Sequence, residues 1–161
     1  MRGIALRPVE PADRELLFRV YASTRAEELA VVAWDDAQKE AFLRAQFEAQ
    51  DRWYHEHYTG VSFDVVLIDG QPAGRLYVHR GAGEIRIVDI ALLPGHRGSG
   101  AGTSLLRDLL AEAETAGKRV TIHVERLNPA LRLYERLGFL VAEDKGVYLF
   151  LEATPQVKTA S

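Results

Sequence analysis

Residues 84–103 read EIRIVDIALLPGHRGSGAGT, and their order decides the fold. From Glu84 to Leu93 the run is apolar and β-branched enough near its end to form a central strand. Pro94 stops it. Gly95, Gly98, Gly100 and Gly102 follow within eight residues. Leu105, Leu106, Leu109, Leu110 and Ala113 then recur at helical spacing, which predicts a helix over about 101–116. Gly117 ends that helix, and 118–125 reads as another strand. A strand, glycine loop, helix and strand in this order place at least one parallel pair in the sheet.

Upstream, Ile4, Leu6 and Pro8 alternate as a first strand, and Pro11 suits the opening turn of a helix running to about Ala22. A second short helix is expected over 24–33, ending near Trp34. Asp35 or Asp36 caps a longer one, 37–57. The period then changes to that of strands at 61–69, 73–80 and 84–93, joined by turns at Gly70-Gln-Pro72 and Gly81-Ala-Gly83. Downstream, Asn128-Pro129 opens a helix that Gly138 closes, and 139–143 with 147–151 form a closing hairpin. The expected class is α/β (α+β): one domain over 1–153 with a mixed, mostly antiparallel central sheet flanked by helices. A polar tail at 154–161 is expected to fray.

The chain has 161 residues, 47% hydrophobic and 27% charged, enough to bury roughly 70% of its unfolded surface around one core. Zero cysteines exclude disulfides, thiolate zinc sites, iron–sulfur clusters and a cysteine nucleophile. His55 and His57 stand two apart on a predicted helix and face different ways, so no metal site is expected. With 20 Lys+Arg against 23 Asp+Glu, the net charge of -3 lacks the basic excess of a general nucleic-acid binder. No stretch has the apolar length of a membrane span or a signal peptide. The expectation is a soluble, cytoplasmic protein without nucleic-acid or membrane partners.

A glycine loop at a helix N-terminus offers unpaired N–H groups to an anion and lets a phosphate approach the backbone closely. The same loop also serves as a tight connection with no ligand. Gly95 and Gly100 have the glycine spacing of a P-loop, but Ala101 and Gly102 stand where Lys and Ser/Thr are needed. Gly98, Gly100 and Gly102 lack the G-x-G-x-x-G spacing of a dinucleotide fingerprint.

Arg97-Gly98-Ser99-Gly100-Ala101-Gly102 resembles the R/Q-x-x-G-x-G/A motif of the GNAT superfamily of N-acetyltransferases, preceded as in that family by an apolar residue and proline, Leu93-Pro94. Asn128-Pro-Ala-Leu-Arg-Leu-Tyr134-Glu-Arg-Leu-Gly138-Phe139 resembles its second signature, with Asn128 six residues before Tyr134 where many members have seven. The resemblance implies that acetyl-CoA lies in an opening between the fourth and fifth strands. The backbone of Ile90, Ala91 and Leu92 would pair with pantetheine, and Arg97, Gly98, Ser99, Gly100, Ala101, Gly102 and Thr103 would cradle the diphosphate. Asn128 and Tyr134 occupy further cofactor-contact positions of the motif, and Tyr134 matches the family's general acid.

An amine must lose a proton to attack, and the departing thiolate leaves more easily when protonated. His123, Glu84 and Asp89 are the rival bases, with a water relay as the alternative. Glu84 and Asp89 have opposite strand parity, so at most one faces the acceptor directly. Trp34, Trp53, Tyr54, Tyr58 and His79 are candidates for an aromatic-lined acceptor mouth; an amphipathic helix packed on the sheet explains the same aromatics. The expected activity is transfer of an acetyl group from acetyl-CoA to a small-molecule, peptide or protein amine, and a homodimer is compatible with it. The competing reading is a non-catalytic acyl-CoA-binding module.

Overall fold

The computed structural model describes residues 3–155, so most of the expected tail, from 156 on, lies outside the described residues. The first strand, β1 (Ile4–Pro8), leads through a 3-10 turn at Pro11–Asp13 into helix α1 (Arg14–Ala30). The two predicted helices there are one. Ser23 and Thr24 donate their hydroxyls back to the carbonyls of Val20 and Tyr21, at 2.7 and 2.6 Å, so the junction expected between Ala22 and Thr24 is accommodated inside the helix. At the helix entry Asp13 is buried. Its carboxylate accepts two 2.7 Å hydrogen bonds from Arg7 and one from the Glu10 N–H, tying β1 to α1.

Helix α2 (Asp36–His57) starts where expected: Asp35 accepts from the Gln38 N–H at 2.7 Å, and the Gln38 side chain accepts from the Asp35 N–H. Strands β2 (Val61–Ile68) and β3 (Gln71–Arg80) are joined at Asp69-Gly70, both with positive φ (50° and 81°), as a tight hairpin requires. The rest of the chain is β4 (Glu84–Leu92), α3 (Ala101–Ala116), β5 (Arg119–Glu125), α4 (Leu131–Arg136), β6 (Leu140–Asp144) and β7 (Tyr148–Ala153).

The seven strands form one mixed sheet in the order β1-β2-β3-β4-β5-β7-β6. β1 runs antiparallel to β2, and β7 antiparallel to both β5 and β6. The parallel pair expected from the crossover is β4 with β5, in register from Glu84↔Arg119 to Ile87↔Ile122. β4 itself continues to Leu92.

Two compact units divide the chain: Met1–Tyr77 with Asp89–Gly98, and Val78–Val88 with Ser99–Ser161. In the first, Leu17, Phe18 and Tyr21 of α1 pack on Phe47 of α2, while Leu16 and Val20 pack on Val65 of β2 with Ala91 and Leu93 alongside. α1 thus has two apolar faces, whereas Phe47 is the buried residue of the longer α2. In the second, Leu105, Leu106, Leu109 and Ala113 of α3 are buried, as are Ile85, Ile87, Val120, Ile122, Val124, Leu149 and Leu151 of the strands. Gly117, at φ 68°, closes α3 as predicted, donating to the Ala113 and Glu114 carbonyls.

Candidate functional site

The end of β4 is built for access. Val88 to Leu92 lie beyond the last registered pair with β5 and are only half-buried although four of the five are apolar. β3 holds this stretch from its other side. The Leu93 N–H donates to the Ala73 carbonyl at 2.8 Å. A Cβ at Gly74 would stand 2.2 Å from the Ala91 carbonyl oxygen and 2.9 Å from Leu92 Cα, so only glycine permits this approach.

The loop beyond it makes a 3-10 turn at Pro94–His96 and then takes left-handed φ at Gly98 (71°) and Gly100 (85°). Gly100 is the N-cap of α3 and brings no side chain to the helix N–H groups. Cβ atoms at Gly95, Gly98, Gly100 or Gly102 would meet nothing within 4 Å, so the backbone here is open to a ligand. These features fit a bound diphosphate, held by peptide N–H groups at a helix start. The Arg97 side chain has other partners: its Nε donates to the Leu92 carbonyl at 3.0 Å and its Nη2 to Ser23 Oγ at 3.2 Å.

Asp89 sits in a polar network of the first unit. The Arg75 guanidinium, 3% exposed, donates through Nη2 to Asp89 Oδ2 at 2.5 Å and to Gln50 Oε1 at 3.0 Å. Tyr54 donates its hydroxyl to the same Asp89 oxygen at 3.2 Å. Burial, followed by the Asp89 charge, pushes the Tyr54 phenol well above the ordinary range. Burial likewise pushes Tyr77, whose ring lies under the Arg75 guanidinium, up to about 12. Both phenols are therefore neutral at working pH. The sequence pattern does not single out Arg75, Gln50 or Tyr77; the signal it carries is a lone charged residue in the otherwise apolar β3 run Ala73 to Val78.

A cluster of rings adjoins this network at Tyr54. Trp53, half-exposed, stacks on His57 (4.5 Å) and meets Tyr54 and Tyr58 edge-on (5.9 and 5.7 Å), while Tyr54 in turn meets Tyr77 (5.9 Å). Three of the acceptor candidates are thus brought together. Trp34 is not among them: it packs on Phe42, which lies about 17 Å before Trp53 along the α2 axis.

The second unit carries the other candidates. Tyr134 on α4 is 4% exposed, with its ring edge-on to Phe139 at 5.6 Å. Asn128 accepts from the Ala130 N–H at 2.8 Å and so shapes the turn into α4. His123 is exposed on β5, beside the Phe150 ring (4.8 Å) with Lys145 Nζ 3.3 Å from Nε2. Partial desolvation of the ring against its neighbours, with the charges of Lys145 and Arg86, lowers its pKa below the usual imidazole value. Glu84 is ion-paired to Arg86 (3.1 Å) and Arg119 (3.3 Å). His79 lies near the end of β3 under the turn at Gly81. Among the described residues no cluster of His, Asp or Glu could hold a metal, and no helix is long and apolar enough to cross a membrane.

Residues 25–139 match the model of the acetyltransferase (GNAT) family. A mycothiol acetyltransferase of Nocardiopsis dassonvillei is 39% identical over 61 residues, 38% of this chain, and the match spans 18% of that relative's length. Among solved structures, the PaiA N-acetyltransferase of Thermoplasma acidophilum in complex with coenzyme A superposes with a TM-score of 0.70 at 18% identity, covering 94% of this chain and 99% of that one. An acetyltransferase of Thermus thermophilus gives 0.68 at 21% identity, covering 96% and 99%.

Proposed function

The chain belongs to the acetyltransferase (GNAT) family, and on that premise we propose that it moves an acetyl group from acetyl-CoA to a primary amine by direct attack in a ternary complex. The observation that carries this reading is the open glycine loop: two left-handed glycines at the uncapped start of α3, with space beside all four glycines. Acetyl-CoA, when bound, supplies an acyl group activated as a thioester.

In this reading the peptide groups of Arg97 to Thr103 bind the diphosphate, and those of Ile90 to Leu92 pair with pantetheine amides as an added strand would. Tyr134 is the proton donor to the leaving sulfur, since a phenol stays protonated at neutral pH. His123 is the candidate base, since an imidazole exchanges protons near neutral pH, and its Nε2 already faces Lys145 Nζ at 3.3 Å. Glu84 and Asp89 remain rivals, but each carboxylate is already committed to a guanidinium. Trp53, Tyr54 and Tyr58 offer the acceptor a wall of rings.

The test is direct because the chain has no cysteine, so a thiol reagent reads only released coenzyme A. Incubation with acetyl-CoA and a panel of amines is expected to give amine-dependent thiol release. Stoichiometric acetyl-CoA binding without release would instead support the binding module.

A further inference from the structure

Arg75 is almost wholly buried on β3, one residue after the glycine that lets β3 close on Ala91 and Leu92. Its Nη2 holds Asp89 from β4 and Gln50 from α2, and Asp89 is held a second time by Tyr54, again from α2. Burying the Arg75 charge and half-burying that of Asp89 is expensive, and an apolar pair of similar volume is often as stable or more so. Arg75 Nε adds to the expense, since it is buried without a hydrogen-bond partner. A geometric role offsets that expense. Asp89 directly precedes Ile90, Ala91 and Leu92. Three successive residues of β3 therefore fix the end of β4: Ala73 by a hydrogen bond from Leu93, Gly74 by close approach, and Arg75 by the ion pair.

The pair is poorly suited to anchoring an acceptor's ammonium group. The guanidinium 2.5 Å away offsets most of the Asp89 charge, so an incoming cation would meet the weaker field of a dipole and not that of a free carboxylate.

We propose that Arg75 is a positioning residue for acyl transfer, locking Asp89 and through it the Ile90–Leu92 strand end to helix α2. This deepens the reading of the chain as an acetyltransferase and rests on it. The lock determines where the thioester end of the ligand lies. It does not touch the glycine loop, where the nucleotide end lies in the same reading.

The experiment separates the two ends. Acetyl-CoA and adenosine 3′-phosphate 5′-diphosphate, which has the nucleotide but no pantetheine, are titrated calorimetrically into the parent chain, the Arg75→Leu/Asp89→Leu variant and the single Arg75→Lys variant. The double variant leaves no buried charge unpaired and is expected to melt near the parent temperature. It should bind acetyl-CoA about tenfold more weakly and the nucleotide fragment within twofold of the parent, while Arg75→Lys recovers part of the acetyl-CoA loss. Unchanged acetyl-CoA affinity in the folded double variant would overturn the proposal, as would a parallel fall for both ligands. A parent chain that binds neither ligand would overturn the acetyltransferase reading beneath it.

Discussion

Tyr134 is the residue on which the proton transfer proposed for the leaving thiol depends. Its ring is packed on Phe139 and buried, so removing the hydroxyl leaves the packing in place. Tyr134→Phe is expected to lower kcat by about 10²–10⁴-fold with little change in acetyl-CoA affinity, checked by steady-state kinetics beside calorimetry. Asp13 gives a second residue-scale test. Its hydrogen bonds from Arg7 hold the carboxyl below its usual 3.8, so the native state is stabilised above that pH and loses the contribution as pH falls toward the native pKa. Asp13→Asn should therefore lower Tm by a few degrees at pH 7. The gap from the parent should narrow below pH 3.8 in thermal melts across a pH series.

At the scale of elements, two glycines make predictions with different causes. Gly74 has no room: Gly74→Ala drives a methyl into the Ala91 carbonyl, which is backbone and cannot swing aside. A loss of about 1–3 kcal/mol is expected in denaturant unfolding, with weakened acetyl-CoA binding. Gly100 has space but the wrong dihedral for a side chain, φ 85°. Gly100→Val should cost about 1–2 kcal/mol in strain, yet weaken acetyl-CoA by tenfold or more, because the valine occupies the loop's open side. An acetyl-CoA affinity unchanged in folded Gly100→Val would contradict the placement of the diphosphate at this loop. The glycines of the loop and the helix ends at Asp35 and Gly117 were legible in the sequence because caps and turns are decided by neighbouring residues. The unbroken α1 was not, since Ser23 and Thr24 either break a helix or bond back into it, and packing of Leu16, Val20 and Leu29 decides which.

Across the whole molecule, the parallel crossover of β4 and β5 followed from 84–125, because the periods of strand and helix are local. The network at Asp89 could not be read that way. Its members lie 14 and 35 residues apart in the chain and meet only when the sheet and α2 are assembled. Asp89 looks like a free carboxylate in the sequence and is an ion-paired one in the fold. A net charge of -3 is no obstacle to a polyanionic ligand in the proposed reading, in which peptide N–H groups at the start of α3 would supply the binding field locally. The most direct test of the central claim is mass spectrometry of an amine panel after incubation with acetyl-CoA isotopically labelled in its acetyl group. The account predicts labelled acetyl on the nitrogen of at least one amine, formed in proportion to released thiol; thioester loss with no labelled amine would contradict it.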